Sequence, residues 1–162
     1  MRKVFVFLAF FTWSLIFSQE VSPIEFKKEA DYKVAEPKVI ESATYLLNSP
    51  LDNNEMLRIQ HLQFLMQWME GTPDYTFSLS ETATKFSGEN SNLLGVYLAA
   101  MIVYLVKEHG DSKDIAVVEL NTLRIATNYV AKKENNVPLT SNLKKLIAGN
   151  EKGNLAEVLK KL

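Results

Sequence analysis

The segment from Leu93 to Val106 runs for fourteen residues without a charged side chain. Coiled as a helix it would be about 21 Å long, short of the roughly 30 Å hydrocarbon core of a bilayer. It is therefore expected to form a helix buried inside a globular core. Such a helix needs neighbours on every side, which selects a multi-helix domain. Gly95, Ala99, Ile102 and Val106 share one face, where the two small residues would admit a close backbone, and Tyr97 and Tyr104 lie together on the other side. Gly110 ends the pattern.

The remaining segments read the same way. Glu36-Pro37 opens a helix, since proline in a first turn gives up no intrahelical bond, and Ser49-Pro50 stops it. Asp52 and Glu55 stand in a capping-box arrangement that starts a helix running to Glu70. On that helix Gln60, Gln63, Gln67 and Glu70 fall in one wedge. Leu57, Ile59, Leu62, Phe64, Leu65, Met66, Trp68 and Met69 cover most of the rest, which predicts burial on more than one side.

Between Gly71 and Asn90, Tyr75, Phe77 and Leu79 alternate with Thr76, Ser78 and Ser80, but no second segment offers itself as a strand partner. An extended connection leading into a short helix over Glu81–Phe86 is expected, with a small strand as the alternative. Asp111 and Asp114 cap the next helix, and short helical pieces follow over Ser141–Ala148 and Asn154–Leu162. The fold class is all-α: a single domain of five or six helices in a compact helical-hairpin bundle over residues 36–162, preceded by an extended arm over 19–35. No unit recurs at a helical-repeat period.

Met1, Arg2 and Lys3 precede the apolar stretch Val4–Phe17, in which only Thr12 and Ser14 are polar. That pattern is a signal peptide over 1–18, cut after Ser18 to leave Gln19, and it predicts export to the periplasm or beyond in a Gram-negative cell. With no cysteine at the cut, a bacterial lipid anchor is not expected, nor a transmembrane span once the leader is gone. The chain has no cysteine and only two histidines, His61 and His109, which excludes disulfides, thiol catalysis and Cys-ligated metals.

Residues 19–162 carry 16 basic and 19 acidic side chains, too even a balance for a general nucleic-acid binder. Residues 132–162 are locally basic, with seven lysines against three glutamates. Those lysines, Lys145, Lys152 and Lys161 among them, alternate with leucines in the manner of solvated helix faces.

Several groups could carry chemistry. His61 lies on the apolar arc among Leu57, Leu65 and Trp68, where a hydrogen-bonded core histidine is the expectation and a base or metal ligand the alternative. His109, Asp111 and Asp114 lie close in sequence but read as a helix stop and start, so no metal or cofactor is expected. Glu70, Asp74 and Glu81 flank the irregular loop and could form an acid–base pair acting on an envelope polymer. Trp68, Tyr97 and Tyr104 could line an apolar ligand cavity. Loop 71–80, with Trp68, Asp74, Tyr75 and Phe77, is the expected interaction site or, equally, a plug over the core.

Four blocks carry a resemblance: Ser18-Gln19-Glu20, Tyr45 to Pro50, Phe64 through Trp68 to Gly71-Thr72-Pro73-Asp74, and Glu151 to Leu155. They resemble small exported helical proteins of unknown function from Bacteroidetes-type bacteria. The resemblance implies export and no mechanism. The functional expectation is a non-enzymatic module that binds a protein or envelope component. The alternatives are a carboxylate hydrolase and an apolar-ligand carrier.

Overall fold

The computed structural model describes residues 25–110 and 113–162. The leader 1–18, the start of the arm, Asp111 and Ser112 lie outside the described residues. Among those described, seven α-helices follow in order: α1 Glu29–Asn48, α2 Glu55–Gly71, α3 Glu81–Ser87, α4 Ser91–Ile102, α5 Ile115–Ala131, α6 Ser141–Glu151 and α7 Leu155–Leu159. The fold is all-α, and no described residue is in a strand. Seven helices stand where five or six were expected, the shortest being α3 and α7, of seven and five residues. No helix among the described residues is long and apolar enough to cross a membrane.

Helix α4 is the hub. Gly95 to Ile102 are all buried, and the helix packs against α1, α2, α3 and α5. Its start is capped by Asn90, whose side chain accepts the N–H groups of Asn92 and Leu93 at 3.0 and 3.2 Å. The close neighbour at Gly95 is a side chain, Leu62 of α2, not a backbone.

Beyond Ile102 the uncharged run leaves α geometry for a π-helical turn, Val103–Lys107, in which Glu108 N–H donates to Val103 O at 3.0 Å. The Tyr104 ring lies where a Cβ at Gly110 would stand, and Gly110 N–H donates to Tyr104 O at 3.0 Å. That closure draws the end of the helix back onto itself, with His109 at φ 54°.

Helix α1 begins at Glu29, so residues 29–35 of the expected extended arm are helical and Pro37 lies inside the helix and not at its start. An interior proline costs on the order of 3 kcal/mol, so further contacts must hold the first turns. Two local ones and one tertiary one are present. Asp31 accepts the N–H groups of Lys27 and Lys28 at 2.9 and 3.1 Å. Phe26 stacks on Tyr32 with ring centroids 4.5 Å apart. The Trp68 indole N–H donates to Tyr32 O at 2.9 Å.

Helix α2 is capped by Asn54, in the left-handed region, whose side chain accepts Leu57 N–H at 3.3 Å. Asp52, the expected cap, instead accepts from Asn136 Nδ2 at 3.2 and 3.3 Å, tying the α1–α2 turn to the segment after α5. Asp114 caps α5, accepting Ala116 and Val117 N–H.

The α2 surface departs from expectation. His61, Phe64, Leu65 and Trp68 are buried against α1 and α4, and Gln63, Gln67 and Glu70 are exposed as the wedge predicts. The apolar arc, however, is wider than the two neighbours can cover. Ile59 is left 38% exposed and Met66 44% exposed.

Candidate functional site

Loop 72–80 is built around Trp68. The indole is fully buried, and the rings of Tyr75 and Phe77 flank it at 5.7 and 5.9 Å. The alternation seen in the sequence accounts for this: with Thr76 turned outward, Tyr75 and Phe77 point the same way. With no strand beside it among the described residues, the loop remains irregular. A Cβ at Gly71 would collide with the Tyr32 ring, so glycine is what lets the loop leave α2 beneath α1. The loop therefore covers the core. Of the expected contact residues, Trp68 is enclosed, Tyr75 and Phe77 are half-buried, and Asp74 is exposed.

The outer side of that cover is a groove. Phe77 joins Met66, Met69, Glu70, Leu79 and Leu98 around a volume of about 350 Å3. Leu98 forms part of the floor and Leu79, 57% exposed, part of the rim. Toward the start of α2, Ile59 and Met56 are also exposed, at 38% and 66%. Residues 59, 62, 66 and 69 follow the spacing of a single helical stripe. Isolated exposed apolar side chains are ordinary on a protein surface, whereas several on one helix beside an apolar groove mark a contact face.

The three carboxylates of the hydrolase alternative do not converge on one partner. Glu70 lines the groove, Asp74 lies 4.0 Å from Lys33 Nζ, and Glu81 lies 3.4 Å from Lys85 Nζ. A general acid for glycoside cleavage calls for a carboxyl set in a dry pocket, and these three stand in solvent. The rings of the carrier alternative are each taken up by different neighbours. Trp68 meets Tyr75 and Phe77, Tyr97 meets Phe86 at 5.9 Å, and Tyr104 lies on Gly110. In the basic C-terminal part, Lys145, Lys152 and Lys161 border a groove between α6 and α7 with all three side chains exposed.

His61 is 2% exposed and stacks on Tyr45 with centroids 4.3 Å apart. Contrary to the expected hydrogen-bonded core histidine, neither ring nitrogen has a partner among the described residues. Burial first, then the charges of Lys38 and Arg58, lower its pKa below the ordinary 6.5. The unfolded chain thus binds a proton that the folded one resists, so stability is full above pH 6.5 and falls as the pH drops through and below that value. The urea midpoint is expected to be lower at about pH 5.5 than at about pH 7.5. His61→Phe should remove most of that difference. Parallel pH curves for the two proteins would show that His61 is not its source.

The residue that the sequence reading passed over is Arg58, 2% exposed. The two N–H bonds of its Nη1 are shared among four acceptor oxygens: Ser49 Oγ at 2.8 Å, Ser49 O at 3.0 Å, and Leu46 O and Pro50 O at 3.3 Å. Tyr129 Oη–H donates to the same Ser49 carbonyl at 2.9 Å, and Asn135 Nδ2 donates to Tyr129 O at 2.7 Å. The signal was present in the spacing, because positions 58, 61, 65 and 68 form the buried stripe of α2. This knot joins α1, α2 and α5 and is structural. Among the described residues, no group of three or more acidic, histidine or cysteine side chains is placed to hold a metal ion.

Comparison with known protein families, with curated proteins and with solved structures finds no match to this chain.

Proposed function

We propose that this protein is a non-enzymatic binding domain that works outside the cytoplasm, where it docks an envelope polypeptide on the outer face of α2 and loop 72–80. The observation that carries this reading is the set of exposed apolar side chains Met56, Ile59 and Met66 on α2, beside the groove bordered by Met69, Phe77, Leu79 and Leu98. Methionine suits such a face because its unbranched side chain adapts to a partner's shape. The leader pattern of residues 1–18 and the resemblance to small exported bacterial proteins support the location.

The face can be altered without touching the core, since Met66 and Leu79 are both exposed. A Met66→Asp/Leu79→Asp protein is expected to keep its helicity and unfolding midpoint but to lose at least about tenfold of its recovery of a co-purifying envelope component. Val34→Asp, at an 81% exposed position on α1, should lose nothing. Equal recovery by all three proteins would remove this face from consideration. The location is checked by fractionation and intact mass, which should find a chain beginning at or near Gln19 outside the cytosol. A chain retaining Met1 in the cytosol would overturn that part.

A further inference from the structure

We infer that the occupant of the α2 groove is a cationic amphipathic helix of a partner polypeptide, an inference that rests on the binding reading above. Two observations carry it together, one of shape and one of charge.

The shape is that of a helix seat. Ile59, Leu62, Met66 and Met69 advance along one face of α2 for about 15 Å, which is the length of roughly 10 residues of a second helix laid beside it. At the Met66–Met69 end a far wall is formed by Phe77 and Leu79 of the loop, with Leu98 of α4 between. Helices that dock in this manner present apolar side chains at i, i+3, i+4 and i+7 to a methionine-lined groove.

Along α2 the exposed charge is acidic only. Between Glu55 and Gly71 the one lysine or arginine is Arg58, while Glu55 and Glu70 are acidic. Arg58 is buried with its Nη1 among carbonyl and hydroxyl oxygens, so it shows no charge to a ligand on this face. The polar wedge of α2 carries Gln60, Gln63 and Gln67, where a solvated helix would ordinarily carry lysines. Glu55 and Glu70 stand at opposite ends of the helix, and neither is in an ion pair among the described residues. Asp74 and Glu81 each have a lysine nearby, yet Glu81 remains 85% exposed at its side chain. An apolar floor with acidic ends selects a partner helix bearing lysine or arginine beside its apolar face. An acidic helix would meet like charge at both ends.

Trp68 reports on the groove, because Phe77 touches both the indole and the groove. In a full chain carrying Trp13→Phe, Trp68 is the single tryptophan. The probes are three tryptophan-free peptides of about 18 residues, roughly 27 Å as helices. The first is a leucine–lysine amphipathic helix, the second has glutamate in place of lysine, and the third is the first rearranged so that no apolar face forms.

The amphipathic lysine peptide is expected to shift Trp68 emission saturably, with affinity at least about tenfold above the other two. Raising salt from about 0.05 to about 0.3 M should weaken it several-fold. Glu55→Gln/Glu70→Gln should cost roughly three- to tenfold and remove most of the salt dependence. Met66→Ser/Leu79→Ser should abolish the shift.

Equal binding of the lysine and glutamate peptides overturns the cationic partner and leaves the binding function standing. Equal binding of the rearranged peptide overturns the helix seat, since charge alone would then suffice. If no peptide binds while Met66→Asp/Leu79→Asp still loses its envelope component, the occupant is not a helix and only this inference falls. If neither effect is seen, both readings fall together. A dimer in sedimentation that Met66→Ser/Leu79→Ser dissolves would identify a second copy of this chain as the occupant and overturn the proposal.

Discussion

Trp68→Ala is expected to destabilise the domain by about 3–5 kcal/mol, the range for deleting a large aromatic from a packed core. Against a typical total of about 5–15 kcal/mol, that leaves the protein near its unfolding threshold. The position is demanding because three structures meet there. The indole is fully buried, its N–H holds Tyr32 O in the first turns of α1, and its faces seat Tyr75 and Phe77 of the loop. The same carbonyl lies one residue before the one that Pro37 leaves without its helical donor. Losing the indole would therefore loosen the start of α1 and the loop together. Trp68→Phe keeps a ring but leaves Tyr32 O without that donor, and should cost about 1–3 kcal/mol. Urea titration is the measurement, together with amide exchange over residues 72–80, which should accelerate selectively in Trp68→Phe. A loss under about 1 kcal/mol for Trp68→Ala would show that the loop is held by something else.

The fold class was legible because burial and periodicity are local signals. The uncharged run Leu93–Val106 announces a helix enclosed by others, and α4 is enclosed. What the sequence concealed depends on contacts between distant residues. Pro37 marks a helix start by local rules, yet the helix begins eight residues earlier because Phe26, Tyr32 and Trp68 hold its first turns. Asp52 and Glu55 match a capping box, but Asp52 is drawn to Asn136, 84 positions away, and Asn54 takes its place. The π-helical turn at Val103–Lys107 goes with the contact of Tyr104 on Gly110, which no period announces.

The candidate site divides along the same line. Its loop and its aromatics were visible as a broken pattern between two helices. That Trp68 faces inward and the methionines outward was not, because a wide apolar arc does not say which part its neighbours leave uncovered. Only the count of helices packed against α2 decides that, and it is a property of the assembled bundle.

Arg58 is the second position at which a single change should have a large effect. Helix α1 has no basic residue in its last turn, and its terminal carbonyls point at α2 with the negative end of the helix dipole behind them. Arg58 supplies the missing cation from the neighbouring helix, with Nη1 within 3.3 Å of Leu46 O, Ser49 O and Pro50 O. Replacing a buried ion pair by apolar residues can be neutral when both partners are removed, but backbone carbonyls cannot be removed by substitution. Arg58→Met, which keeps most of the volume, should therefore cost about 3 kcal/mol through the oxygens it strands. Arg58→Lys keeps the charge but loses the planar fork, and should cost roughly half as much. The pattern to check by urea titration is the order wild type, Lys, Met. A further test is coupling between Arg58→Met and Tyr129→Phe, since both side chains donate to Ser49 O, and about 1 kcal/mol is expected. A methionine variant as stable as the parent would mean that α1 ends without needing that cation, and that the knot between α1, α2 and α5 is held by packing alone.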